Sequence, residues 1–458
     1  MPPDTEHPDG TAGDIGDAAA SPTPVVVETP VEPSPVPTSM PIDDAVAALA
    51  PEILADSLGD YLRAWWKRIR GGESGALPIL AGLVLIVIIF QSQESAFLSA
   101  GNIVNLLVQA AVFVLLGMAE VFVLLLSEID LSVGYMAGLG GALIAGLISP
   151  PYNWPWWAGV IVGLGATAAL GALQGTLITR LHLPSFVVTL AGLLGFQGLL
   201  IYWFDFDKGS VGGVIRISNN VVYNLVNGNM STVASWVAMV ALVGLFAVTS
   251  IVRAARRRSK GLSAPPLSIT IFTIVVVAAA GVALVIICNV NRGNLAPLRG
   301  VPFVVPFVLV LLLVSSFFLA RTRPGRYIYA IGGTPEAARR AGINVARIRT
   351  LAFALSGLTA GLAGLVYESR LGSISVGIDG GNLVLYAVAA AVIGGTSLFG
   401  GRGKSIHALL GGIVIAAVYN GLGLLGIGTA GTDMVTALVL LGAVTVDSLV
   451  RRRSSASA

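Results

Sequence analysis

Apolar residues run together along this chain in long blocks, each close to the roughly 20 residues a helix needs to cross a bilayer. Twelve blocks are predicted as membrane-spanning helices. Six fall in the first half, near 76–91, 104–126, 133–149, 157–179, 184–204 and 232–252. Six more fall in the second half, near 269–288, 302–320, 351–370, 383–398, 406–427 and 431–450. Several are short or glycine-rich, so the count falls to ten or eleven if some turn back without crossing. The expected fold class is all-α, a polytopic transmembrane helix bundle of 10–12 spans.

Composition agrees. Only 11% of the 458 residues are charged, against about a quarter in a soluble domain. With 55% of residues apolar, so long a chain exceeds what one buried core can hold. Cys288 is the single cysteine and the three histidines (His7, His182, His407) are far apart. These counts give no disulfide framework and no zinc pattern. No cofactor is expected, no nucleic-acid partner, and no metal or catalytic residues.

Charge placement sets the orientation. With the N-terminus cytoplasmic and each block crossing once, 22 of the 27 Lys and Arg residues fall inside and 5 outside. The inside groups begin with Arg63 to Arg70 and Arg253 to Lys260, and continue through Arg321 to Arg349 to Arg451–Arg453. The outside five are Lys208, Arg216, Arg292, Arg299 and Arg370. So strong a bias predicts both termini in the cytoplasm. Membrane lipid is the surrounding partner, and the membrane-spanning region is 76–450, followed by a basic tail over 451–458.

Residues 1–62 are of another kind, with no Lys or Arg and 12 of the 24 acids. They are expected to be a disordered, acidic, Pro-rich cytoplasmic tail. The stretch 43–70 can hold a short amphipathic helix ending in the basic juxtamembrane segment 63–75, with Trp65 and Trp66 at the membrane surface.

Several motifs carry candidate chemistry. GGRGKS (Gly400 to Ser405) lacks the glycine a phosphate loop needs at position 398, where Leu398 stands, and reads as a tight basic turn. Gly134/Gly138, Gly171/Gly175 and Gly357/Gly361 form small-xxx-small faces for close helix packing. In SEIDLSVG (Ser127 to Gly134), Asp130 or Ser132 caps the following helix, or the broken segment lines a path; both can hold. Glu120 is an acid within a span, a costly and often functional placement. With Asp130, Gln174, Thr189, Gln197, Tyr386 and Asn420 it makes the candidate translocation path. Asn105 and Gln109 are further polar groups in or near spans. Neutral amides and hydroxyls suit an uncharged polyhydroxylated solute, although helix-to-helix hydrogen bonding explains any one of them as well. The inside loop 321–350 contains PEAARRA, opened by Pro335 and closed by Gly342, with Thr334 at the N-cap and Glu336 in the first turn. This helix either docks a soluble partner or only sets topology.

That loop, GRYIYAIGGTPEAARRAGINVARIR, resembles the ATPase-coupling loop of the ribose/xylose-type permeases of bacterial ABC importers. EIDLSVG, LPSFVVTLAG (Leu183 to Gly192) and AVIGGTSLFGG (Ala391 to Gly401) are similar to three further signatures of that family, in family order. The apolar segments between 232 and 320 and RGVP (Arg299 to Pro302) resemble the longer xylose branch. The resemblance implies a permease subunit of the bacterial inner membrane that is not itself an enzyme. Its implied partners are a cytoplasmic ABC ATPase, an extracytoplasmic sugar-binding protein, a second permease copy and a monosaccharide, xylose or a related pentose. Glu336, Ala337, Ala338 and Gly342 would then lie on the coupling helix. Two departures stand out: Val384 and Tyr386 replace acids usual in the family, and Gln197 replaces a commonly basic residue. The alternative is an ion-coupled secondary sugar transporter, for which Glu120 would be the coupling group.

Overall fold

The computed structural model describes residues 77–456 except 208, 261–265 and 294–296. The acidic tail, its amphipathic stretch, the basic segment 63–75 and Lys208 therefore lie outside the described residues.

Each of the twelve apolar blocks coincides with a helix. In chain order the elements are α1 (Leu77–Gln93), α2 (Ala100–Leu124), α3 (Val133–Ile148), α4 (Trp156–Leu181) and α5 (Ser185–Phe206). Next come β1 (Val214–Arg216), α6 (Asn220–Asn227), α7 (Thr232–Ser259), α8 (Leu267–Asn289) and α9 (Val304–Arg321). The chain continues with α10 (Arg323–Gly333), α11 (Pro335–Arg340), α12 (Val345–Leu371) and β2 (Ser373–Ser375). It ends with α13 (Gly380–Ile393), α14 (Ser405–Leu424) and α15 (Thr429–Ala456). Eight of them (α2, α4, α5, α7, α8, α9, α12 and α14) are long and apolar enough to cross a membrane. Helix α13 has 14 residues and rises about 21 Å, short of the roughly 30 Å hydrocarbon layer. Helix α3 has 16 residues and starts from the irregular segment 125–132, most of which is buried in protein, where broken helices are tolerated.

Side-chain caps explain several boundaries. Ser99 Oγ accepts the Asn102 N–H at the start of α2, Ser231 Oγ the Ala234 N–H of α7, and Asn344 Oδ1 the Arg347 N–H of α12. Helix α12 stops at Gly372, whose φ of +67° is costly for any residue with a Cβ.

In lipid, helices gain little from hydrophobic exclusion, so close backbone approach does most of the work. The glycine faces supply it. A Cβ on Gly171 would collide with the Phe353 carbonyl, and one on Gly357 with the Thr167 carbonyl, so α4 and α12 meet backbone to backbone. Gly134 of α3 lies against the Gly380 carbonyl at the start of α13 in the same way. Helix α2 runs through the centre, with 83% of its most apolar stretch buried inside the protein, against 6% for α7. Helices α7 and α8 form an outer hairpin whose Val237, Val240, Phe272 and Val275 face outward.

The all-α expectation needs one amendment. β1 and β2 pair antiparallel, Val214 with Ser375 and Arg216 with Ser373, and bury Ile215 and Ile374 beneath them. Three-residue strands are too short to leave an alternating pattern in the sequence. Nearby, RGVP folds into a clasp. Gly300 donates its N–H to the Cys288 carbonyl, the Val301 N–H goes to Ser235 Oγ, and the Val301 carbonyl accepts the Met230 N–H.

Candidate functional site

Two polar regions stand at opposite ends of the bundle. At the end away from the β1–β2 pair, α10 begins with Thr322 Oγ1 accepting the Gly325 N–H and buries Ile328 and Ile331. Pro335 opens α11 and Glu336 occupies its first turn, with Arg339 and Arg340 in its last, the favourable order for the helix dipole. Thr334 holds the N-cap position, as expected, but its side chain makes no capping bond. Gly342 closes the turn at φ +81°, with open space where a Cβ would stand. Only Ala338 of α11 is buried; Glu336, Ala337, Arg339, Arg340 and Gly342 are exposed.

Helix α10, which leads into α11, is tied to the core by hydrogen bonds. Tyr329 donates its hydroxyl to the Gly403 carbonyl at 2.8 Å. Burial pushes that phenol's pKa up, which keeps it a donor. The 397–403 turn in turn holds the end of α2. The Gly401 N–H reaches the Leu125 carbonyl at 3.0 Å, and Ser127 Oγ donates to the Phe399 carbonyl at 2.8 Å. GGRGKS is thus part of a basic turn packed on α2, as its sequence implied.

Beyond Ser127 the broken segment enters the protein. Glu128 pairs with Arg349 of α12 at 3.1 Å, a contact of charges without hydrogen-bond alignment. Asp130 is fully buried: its Oδ1 accepts the Ser132 N–H (3.0 Å) and hydroxyl (2.6 Å), and its Oδ2 the Ser356 hydroxyl (3.2 Å). Ser132 therefore sits at the N-cap of α3 without capping it, because its hydroxyl donates to Asp130. Gln174 Nε2 donates to Ser132 Oγ at 2.9 Å, and Thr189 Oγ1 to the Ile129 carbonyl at 3.2 Å. Glu120 lies within electrostatic reach of Asp130, fully buried, with both carboxylate oxygens unpartnered.

Four of the seven path candidates thus gather here, and three do not. Asn420 exchanges two hydrogen bonds with Asn102 (2.7 and 3.0 Å), joining α14 to α2. Gln197 is half-buried on α5, away from this network. Tyr386 stands at the opposite end, in a cleft of about 140 Å³ between α2, α12, α13 and α14. Its ring meets Phe113 and Tyr419 edge-on at 5.3 and 6.1 Å. Its hydroxyl lies 3.4 Å from Asp433, to which Asn382 Nδ2 also donates at 3.2 Å while holding Asp379 at 2.7 Å.

Sequence reasoning passed over several groups. Glu368 of α12 is as buried and unpartnered as Glu120, and an acid near the end of an apolar block was the signal for it. Asp379, Asn382 and Asp433 come from three separate places in the chain, and no spacing rule joins them. Among the described residues, no group of three or more His, Cys, Asp or Glu side chains is arranged to hold a metal.

Comparison with known proteins follows the same lines. Residues 102–444 match the family described as the branched-chain amino acid transport system / permease component. The xylose transport system permease protein of Escherichia coli K12 is 37% identical over 401 residues, covering 84% of this chain and 96% of that protein. The D-allose transport system permease protein of the same strain is 31% identical, covering 81% of this chain and 90% of its own length. The ribose import permease protein is 29% identical, covering 81% and 92%. No solved structure matches the chain. An integral membrane helix bundle with these motifs in order and these relatives along nearly their whole length belongs to the transport-system permease family.

Proposed function

We propose that the protein is the membrane-spanning subunit of an ATP-binding-cassette importer for a monosaccharide, xylose or a related pentose. It resides in the bacterial inner membrane and makes no bond itself; hydrolysis belongs to a separate ATPase. In this reading the chain crosses the membrane twelve times, the short helices α1, α3 and α13 included, with both termini in the cytoplasm. The charge bias supports that orientation: Arg339, Arg340 and Arg349 lie at the end that carries α11.

The observation that carries the reading is the exposed α11, tied through Tyr329 and the 397–403 turn to the broken segment before α3. A soluble partner docked there has a rigid route into the bundle. Rocking of α10–α11 pulls on Leu125–Ser132, and the Asp130 network passes the motion to α3, α4 and α12. Glu120, Asp130, Gln174 and Thr189 then act at the inner gate, and Tyr386 at the outer part of the path. The binding protein delivers sugar at the β1–β2 end. Two copies enclose the route, and the cleft beside Tyr386 lines it. The relatives are named as permeases of transport systems, which supports the importer over an ion-coupled carrier.

The test is uptake of labelled xylose into proteoliposomes containing this chain, its ATPase and its binding protein, with and without internal ATP. Uptake that needs both ATP and the binding protein is expected. Uptake that ignores ATP and follows a proton or sodium gradient refutes the proposal.

A further inference from the structure

The cleft beside Tyr386 has the size and the chemistry of a sugar subsite. Its volume is about 140 Å³. At roughly 10–15 Å³ per water-sized position, it holds about nine to fourteen such positions, close to the roughly ten non-hydrogen atoms of a pentose. A disaccharide is about twice too large.

Its walls divide into two kinds of surface. Phe113, Tyr386 and Tyr419 form a continuous aromatic wall, each ring within 6.1 Å of another. A pyranose presents an apolar C–H face to such a wall and a rim of hydroxyls elsewhere. Facing that rim, Gln109 is 6% exposed, and its Oε1 is a buried acceptor with no hydrogen-bond partner. An unmet buried acceptor is costly, and an arriving hydroxyl relieves it. Arg370 also lines the cleft, with no hydrogen bond or ion pair among the described residues, and offers donors only. A group that both donates and accepts satisfies the two together. One cation is set against the carboxylates of Asp379 and Asp433, so the site has no excess positive charge to select an anion.

We infer that this cleft, between Gln109, Arg370 and the Phe113–Tyr386–Tyr419 wall, binds a single neutral pentose as a subsite on the permease itself. The inference rests on the importer reading and adds the place where the sugar touches this chain. Its far wall is thin. A second cavity of about 310 Å³ lies across Asn382 and Tyr386, both of which border the two spaces and both of which reach Asp433. A sugar hydroxyl that takes over the Asp433 contact opens the first space into the second.

The experiment uses the full chain in lipid nanodiscs without the binding protein, so that only the permease can bind. Saturation-transfer NMR measures xylose, a deoxypentose lacking one hydroxyl, and leucine. Saturable xylose binding is expected, about tenfold stronger than the deoxypentose, because a site built around hydroxyls rejects the analogue that leaves its groups unpaired. Gln109→Leu weakens xylose about tenfold and abolishes the preference over the deoxypentose, which a merely structural role for Gln109 would leave in place. Tyr419→Phe, with less risk to folding, is expected to reduce the same preference. Absence of xylose binding, displacement of xylose by leucine, or a preference unchanged in both variants overturns the subsite. ATP-driven uptake by the complex alongside any of these results leaves the importer reading standing, whereas loss of that uptake in the unaltered complex removes both.

Discussion

The reciprocal amide pair between Asn102 and Asn420 gives a sharp test of what holds the bundle together. Each amide gives one hydrogen bond and takes one, and Asn102 Nδ2 also reaches the Phe97 carbonyl at 2.9 Å. Both side chains are buried. Asn420→Leu keeps the volume, deletes two bonds and leaves the Asn102 acceptor unmet. Hydrogen bonds between helices in lipid average about 0.6 kcal/mol each and reach about 1.7. Adding the unmet acceptor, the single substitution is expected to cost about 2–3 kcal/mol. Replacing both residues by Leu removes the unmet groups as well, so the double variant loses only about 1–2 kcal/mol. The assay is denaturation in mixed micelles, followed by the fluorescence of the seven tryptophans, with the two single variants and the double completing a cycle. With each single variant at about 2–3 kcal/mol and the double at about 1–2, a coupling energy of about 3–4 kcal/mol is expected. Additivity within about 0.5 kcal/mol, the behaviour of independent sites, would falsify the pairing. Sugar preference is expected to stay unchanged in every corner of the cycle.

Other outcomes follow from the same geometry. Gly171→Ala forces α4 off the Phe353 carbonyl and costs about 1–3 kcal/mol, whereas Gly165→Ala on the same helix meets open space and is neutral or stabilising; thermal denaturation of the two side by side checks this. Glu336→Lys combined with Gly342→Ala leaves the chain inserted and folded, the alanine costing about 1 kcal/mol at its positive φ, but separates ATP hydrolysis from uptake in proteoliposomes. Glu128→Arg depresses uptake, and adding Arg349→Glu restores part of it; no restoration would remove the ion pair from the coupling route. Arg216→Gln, at the β1–β2 end, leaves ATPase association unchanged in a pull-down.

Membrane insertion makes much of this fold legible. A span needs a long apolar block, and all twelve blocks found in the sequence carry helices. Glycine pairs at four-residue spacing marked the α4–α12 seam because only a missing side chain lets two backbones touch. The helix over 335–340 was legible from Pro335, which fixes φ for a helix start, and Gly342, which tolerates the positive φ that ends it. Helix α10 was not, because RPGRYIYAIGG opens with residues that signal a turn and its helical face is decided by burial of Ile328 and Ile331. Polar residues in spans were easy to find, but their partners were not. Asn420 and Tyr386 look alike as isolated polar groups, and only three-dimensional neighbours assign one to an amide pair and the other to an aromatic cleft. Gln109 stood among the polar groups noticed, yet its unmet acceptor is a property of the fold alone.

The small β1–β2 pair carries a consequence for how the protein is made. Arg216 leaves the ribosome long before its partner Ser373, and at about 5–20 residues per second the interval is on the order of ten to thirty seconds. The backbone groups of β1 and the glycine face of α4 spend that time without the strand and helix that finally cover them. The first five helices must therefore persist in the bilayer uncovered until α12 and β2 arrive, and the closing of this two-strand staple comes before α13, α14 and α15 join the bundle.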